Sequence, residues 1–219
     1  MPQNELPPTV IFDFDGTLID SKPGILNCLK QTLRGRNLSW EEPLDWFVGP
    51  PPHVSMPRLL PHLSVTAHTE IVDEYRALYA VDGWSQSSVY PGVPEMLETL
   101  QRSGWRIFIC TAKRRDFTMR MLAHFGLEKY FEAVYADSVE LPSHSKTELL
   151  TRLLTECHVS TDAVMVGDRL FDIEAGKACG LRTIAVTYGY GSDAELRECQ
   201  PDRLCNSSTE VLEALLEME

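Results

Sequence analysis

Little in this chain points to a membrane, to nucleic acid or to an oxidising compartment. No window of the sequence approaches the roughly 20 apolar residues that span a bilayer. The segment Met1-Pro2-Gln3-Asn4-Glu5-Leu6-Pro7-Pro8 has neither the basic nor the apolar stretch of a secretory signal. Basic residues are scarce. Against 32 Asp and Glu stand 20 Lys and Arg, a formal net charge of −12, which argues against a general nucleic-acid binder with its basic face. A small anionic substrate remains open, because a few local cations and a metal ion override the global field. Cysteines 28, 110, 157, 179, 199 and 205 show no CxxC spacing, so zinc and disulfide frameworks are poorly supported and reduced thiols are expected. Histidines 53, 62, 68, 124, 144 and 158 lack metal-ligand spacing, and there is no internal repeat or low-complexity tract. The expectation is a soluble, cytoplasmic protein of one domain, or of one domain carrying an insertion.

What the chain does contain is a rhythm of short apolar runs and longer helical patterns. Thr9–Phe12, Arg106–Cys110, Ala133–Tyr135, Ala163–Val166 and Thr183–Val186 read as strands. Most are continuously hydrophobic, the pattern of a parallel sheet covered on both faces. Pro94–Arg102, Asp116–Phe125, Lys146–Cys157 and Asp172–Cys179 read as helices. This order predicts βαβ units and an α/β fold, a doubly wound, Rossmann-like parallel sheet, with ligands at the C-terminal ends of its strands. The rhythm breaks once. Residues 22–88 hold no convincing strand, six prolines from Pro43 to Pro61, and Trp40, Trp46 and Trp84. A connection of that length must be a folded unit. It predicts a small helical insertion joined near Asp20–Pro23 and Tyr90–Gly92, with 1–21 and 89–219 forming the core.

The chemistry-bearing residues sit where the predicted strands end. Asp13-Phe14-Asp15-Gly16-Thr17 directly follows the first apolar run. Ionised carboxylates at the end of a core strand must be paired or bound to a cation. Their i, i+2 spacing turns both side chains the same way in an extended segment, and Gly16 lets backbone N–H groups approach a ligand. One carboxylate can attack while the other moves protons, and a hard divalent cation can hold both. A simple chain reversal made by Asp and Gly is the plainer alternative. After the second strand, the Thr111 hydroxyl and adjacent N–H groups suit a phosphate oxygen. Lys113, Arg114 and Arg115 follow at a predicted helix start, where each cation opposes the helix dipole by about 0.3–1 kcal/mol. A nearby anion relieves that conflict, while Arg114 and Arg115 read as solvated. Ser145-Lys146-Thr147-Glu148 has the form of a capping box. Lys146 at its first helical position is again the wrong charge, unless it neutralises a phosphate and a carboxylate. Asp168 and Asp172, spaced i, i+4, share one helical face, although either also suits an N-terminal cap. Gly189-Tyr190-Gly191-Ser192-Asp193-Ala194 fits a dinucleotide-binding spacing, but too little chain follows for the βαβ unit which that motif requires. It reads as a loop flanking the site.

The string Ile11–Ser21, with Thr111, Lys146 and Gly167-Asp168-Arg169-Leu170-Phe171-Asp172 behind it, resembles the motifs of haloacid dehalogenase superfamily phosphatases. The likeness is greatest to the phosphoglycolate phosphatase and 5′-nucleotidase branch, strong in the core and weak over about 37–88. It implies that Asp13 is the nucleophile and Asp15 the general acid/base. It implies that Lys146 assists catalysis, and that Gly16, Thr17, Thr111, Ala112 and Lys113 meet the substrate phosphate. Mg²⁺ is the implied cofactor, on Asp13, Asp15 (one backbone carbonyl included), Asp168 and Asp172. Arg169 stands where a small Ser or Thr is frequent. The insertion corresponds to a mobile cap, in which Phe47-Val48-Gly49-Pro50-Pro51 reads as a loop facing the site and Arg58 as a contact for a substrate carboxylate. The expected reaction is hydrolysis of a small phosphomonoester, phosphoglycolate or a nucleoside monophosphate, by a monomer or weak homodimer without nucleic acid or membrane partners. The alternatives are a sugar phosphomutase on the same core and, from another class, a phosphoacceptor receiver domain.

Overall fold

The computed structural model describes residues 7–138 and 145–218; His144 and residue 1–6 positions lie outside them. In chain order the elements begin with β1 (Thr9–Phe12), β2 (Ile19–Asp20), α1 (Lys22–Gly35), α2 (Pro52–Leu59), α3 (Val65–Val81) and β3 (Ser88–Val89). There follow α4 (Val93–Arg102), β4 (Arg106–Arg114), α5 (Arg115–Phe125), β5 (Ala133–Asp137), α6 (Lys146–Glu156) and β6 (Val164–Gly167). The chain closes with α7 (Leu170–Ala178), β7 (Arg182–Val186), α8 (Asp193–Glu198), β8 (Arg203–Cys205) and α9 (Ser208–Glu217). Among the described residues no helix is long and apolar enough to cross a membrane.

Six of the strands form one sheet in the order β5-β4-β1-β6-β7-β8, with every neighbouring pair parallel. The unbroken apolar runs have a plain cause in this sheet. Val10 and Phe12 of β1 enter one hydrophobic cluster and Ile11 enters another. Ile107 and Ile109 of β4 likewise part from Phe108 and Cys110, and Val164 and Val166 of β6 part from Met165. Successive side chains point to opposite faces, and both faces are covered, so neither parity can be polar. One cluster draws in Leu97 and Leu100 of α4 with Val211 and Leu215 of α9; the other draws in Leu149, Leu150 and Leu153 of α6. The chain leaves β1 toward β4 on one side and returns to β6 on the other, which makes the end of β1 the topological switch point, where a crevice opens above the sheet.

Two features differ from the sequence expectation. A short antiparallel pair, Ile19 with Val89 and Asp20 with Ser88, closes the base of the insertion; at two residues per strand it carries no readable periodicity. β8 adds a sixth strand at the sheet edge, three residues long and too mixed in polarity to signal itself. The insertion is helical, as expected, and has an apolar cluster of its own containing Leu29, Leu33, Phe47, Met56, Ile71 and Tyr75. One member of that cluster comes from the other side of the chain. Phe117 of α5 sets its ring edge-on to Tyr79, with centroids 5.0 Å apart. Phe117→Ala should therefore destabilise the protein by roughly 3 kcal/mol. Urea unfolding should show the loss, and Phe117→Leu should recover much of it.

Candidate active site

The loop after β1 places Asp13 beside the ends of β4 and β6. Its backbone N–H donates to the Val166 carbonyl at 2.9 Å, which continues the sheet one residue past the strand. Asp13, Asp168 and Asp172 come together there, 8%, 0% and 1% exposed, with one oxygen from each within 4.8 Å of the others. Lys146 enters from the first turn of α6. Its Nζ lies 2.6 Å from Asp13 Oδ1 and 2.5 Å from Asp172 Oδ1. The dipole conflict noted for a cation at a helix start is thus offset by two carboxylates. Ser145 caps that helix by accepting from the Glu148 N–H.

Asp168 is held from three directions. It accepts from the Thr17 hydroxyl at 3.2 Å and from the Tyr190 N–H at 2.8 Å, and it packs against Gly16. Gly16 has φ +85°, and a Cβ there would fall 2.2 Å from Asp168 Oδ2, so no other residue fits. These contacts change the reading of two residues. Thr17 is wholly buried with its hydroxyl on Asp168, and the Gly16 N–H is committed to the Ile19 carbonyl. Both build the acidic cluster and do not face the cavity.

Asp15 turns away from the other carboxylates. Its side chain accepts from Ser21 Oγ at 2.7 Å and from Lys113 Nζ at 2.9 and 3.1 Å, and Lys113 also donates to the Tyr79 hydroxyl. Its carboxylate therefore lies outside the acidic cluster expected to include it; the expected backbone carbonyl is the part of Asp15 that remains as a ligand candidate. Lys113 reaches Asp15 because β4 continues to Arg114, with a shift of register against β5 between Thr111 and Arg114. Such an irregularity re-aims the side chains that follow it. Thr111 and Ala112 line the same cavity as Asp13, Asp15, Lys146 and Asp172, a space of about 560 Å³. Pro50, Pro51, His53 and Val54 of the insertion form its opposite wall. Arg58 does not reach it; the guanidinium stacks on Trp46, 4.1 Å from the ring. Phe47 is buried in the insertion's own cluster.

The loop 189–194 contributes a residue with no counterpart in the expectations. While its N–H holds Asp168, the Tyr190 hydroxyl accepts from the Ser21 and Lys22 N–H groups and donates to Asp20. The glycines flanking Tyr190 were the available signal, and they pointed to a different motif.

A family profile of haloacid dehalogenase-like hydrolases matches residues 10–186. The chain belongs to this family. A 5′-nucleotidase of Pseudomonas aeruginosa is 32% identical over 203 residues, 90% of each chain. The tyrosine-protein kinase PtkA of Mycobacterium tuberculosis is 35% identical over 85% of this chain and 64% of its own. A phosphoglycolate phosphatase of Vibrio parahaemolyticus is 30% identical over 94% and 95%. Among solved structures, a predicted phosphatase from Clostridium acetobutylicum superposes with a TM-score of 0.89 at 31% identity, covering 97% and 99%. Family and neighbours make the chain a phosphatase.

In this hydrolase the acidic cluster has the donor set of a hard divalent cation. All its ligand atoms are carboxylate oxygens, which suit Mg²⁺ better than zinc. Among the described residues, buried Asp13 Oδ1 meets no polar partner other than the Lys146 ammonium, 2.6 Å away. Burial raises the Asp168 carboxyl well above its ordinary range, and the Asp172 and Asp13 charges add to the rise. Burial likewise pushes Asp172 up to about 6, against the opposing pull of Lys146. For Lys146, burial favours the neutral amine, yet the Asp13 and Asp172 charges win and hold the ammonium.

These two carboxyls hold a proton more tightly in the folded state than in the unfolded chain, where the usual value is about 4. Their contribution to stability is thus present below about pH 4 and lost as pH rises through about 6 for Asp172 and higher for Asp168. A divalent cation competes with those protons. Mg²⁺ should therefore raise Tm more at about pH 7.5 than at about pH 5; an equal rise by thermal scan would count against a cation on this cluster.

Proposed function

We propose that this phosphatase hydrolyses a small phosphomonoester through an aspartyl-phosphate on Asp13, with Mg²⁺ as cofactor. The reading rests on one observation: Asp13 faces the cavity beside Lys146 and two further carboxylates, while Asp15 is held apart from them by Lys113 and Ser21. An Asp13 oxygen attacks phosphorus and the bond to the leaving oxygen breaks, as carboxylate nucleophiles permit. Asp15 gives its proton to that oxygen. It then takes a proton from a water that attacks phosphorus, the bond to Asp13 breaks, and inorganic phosphate leaves. Lys146 and Thr111 meet the phosphoryl oxygens and stabilise their growing charge. Asp13, Asp168 and Asp172, with the Asp15 carbonyl, would hold Mg²⁺, which when bound offsets charge on the same oxygens. Residues 22–88 act as a cap over the crevice.

Phosphoglycolate and nucleoside monophosphates are the leading substrates, because relatives named for them align with nearly the whole chain. Six free thiols support a reducing compartment such as the cytoplasm, with the enzyme a monomer or weak homodimer.

Asp13→Asn should abolish phosphate release while keeping the fold; substantial turnover by the pure, folded variant would end the nucleophile assignment. Asp15→Asn should lower turnover by roughly 10²–10⁴-fold, through slowed leaving-group protonation and slowed loss of the phosphoenzyme. EDTA should stop the wild type and added Mg²⁺ restore it. Phosphate transfer to a sugar phosphate in place of water would identify a mutase in the same assay.

A further inference from the structure

Arg169 follows Asp168 directly and is the one residue of that motif that departs from the small hydroxyl side chain frequent there. Its side chain is 13% exposed, and the guanidinium bridges two distant segments. Nε donates to Glu195 Oε1 of α8 at 2.8 Å, and Nη1 donates to the Val48 carbonyl of the insertion at 2.7 Å. Each end is itself fixed. Glu195 Oε1 also accepts from the Leu170 N–H at 3.0 Å, and the Arg169 N–H donates to Asp172 Oδ2 at 2.9 Å. Val48 and Phe47 are anchored in the apolar cluster of the insertion.

The next residue of the insertion is shaped to receive this side chain. Gly49 has φ +113°, and a Cβ there would stand 2.4 Å from Arg169 Nη1. The positive φ favours glycine at this point, and a Cβ there would push the guanidinium from its place. Beyond it, Pro50, Pro51, His53 and Val54 form the cavity wall that faces Asp13 and Lys146. We propose that Arg169 is a positioning residue: it latches the 48–51 loop of the insertion onto the acidic motif and so sets the distance between the wall that meets the leaving group and the nucleophile. A guanidinium offers the two acceptors separate N–H groups in a fixed planar fork, whereas lysine would bring a single ammonium on a shorter reach. The kinetic part of this proposal rests on the phosphatase reading; the latch itself does not.

The test therefore has two arms, using the full chain. In the first, hydrogen exchange is measured on the segment 45–56, where the Val48, Val54 and Ser55 N–H groups are hydrogen-bonded. Arg169→Ala should speed exchange there about tenfold, the expected size for losing one hydrogen bond to a charged group, with little change in β1 or β6. Arg169→Lys should fall between, and Glu195→Gln, which loosens the anchor from outside the cavity, should do the same. In the second arm, KM and kcat are compared for a nucleoside monophosphate and for para-nitrophenyl phosphate, whose leaving group needs less of the wall. Arg169→Ala should raise KM for the nucleotide more than for the aryl ester, with kcat falling less than KM rises. Unchanged exchange at 45–56 in Arg169→Ala would overturn the latch. So would an equal fall of kcat on both substrates with normal exchange, which would move Arg169 into the chemistry at the acidic cluster. Should Arg169→Ala not fold, Arg169→Lys and Glu195→Gln decide by the same criteria. A wild type that releases phosphate from no ester would sink the phosphatase reading and leave the exchange arm standing.

Discussion

The Lys146 ammonium, set between Asp13 and Asp172 with Asp168 beside them, is the interaction on which the rest of the structure turns. Three carboxylates this deep are strongly unfavourable unless they are paired, protonated or bound to a cation. The fold makes their meeting unavoidable. β1 and β6 are parallel neighbours, so the residues that follow them emerge side by side, and α6 presents its first residue to the same point. Burial first, and the neighbouring carboxylates second, raise the Asp168 and Asp172 carboxyls, and the firmly charged Lys146 is their counterweight. Groups arranged in this way are poised for a doubly charged ligand at one end and an anion at the other.

The two ends of the cavity are built differently. Around Asp13, the neighbouring carboxylates of Asp168 and Asp15 are held by hydrogen bonds from Thr17, Tyr190 and Ser21. The far wall consists of prolines, His53 and Val54 on the insertion, next to Val48, whose carbonyl accepts from Arg169. A phosphoryl group is the same in every substrate and can be met by a rigid frame. Leaving groups vary, and the wall opposite Asp13 and Lys146 sits on a segment whose sequence is harder to read.

Legibility followed the same division. The central strands are plain in the sequence because burial on both faces permits only apolar residues, and their ends are marked by polar residues that the family motifs single out. Asp13, Thr111, Lys146, Asp168 and Asp172 are expected near one another from the resemblance to those motifs together with their places after strands or at a helix start. The short pair β2–β3 and the edge strand β8 could not, since two or three residues carry no period. Contacts that depend on side-chain direction also escaped. Asp15 pairs with Lys113 and not with the acidic cluster, Thr17 serves Asp168, and Arg58 stacks on Trp46. Spacing alone suggested a nucleotide-binding turn at 189–194; in the fold those glycines flank the residue whose N–H holds Asp168. Arg169 stood out as an exception to a pattern, but its partners Val48 and Glu195 lie 121 and 26 residues away.

Phe117 gives the insertion an unexpected dependence. It belongs by sequence to α5, yet it completes the apolar cluster formed by α1, α2 and α3. Tyr190 shows the same crossing of boundaries from the other end of the chain, with its hydroxyl at Ser21 and Lys22. The insertion is therefore not a portable module. Moved onto another core of this family, it would arrive with a hole where the Phe117 ring belongs and with unclamped backbone at its first helix. A chimera that exchanges residues 22–88 between relatives would have to carry positions 117 and 190 with it, so the unit of inheritance is larger than the unit of folding.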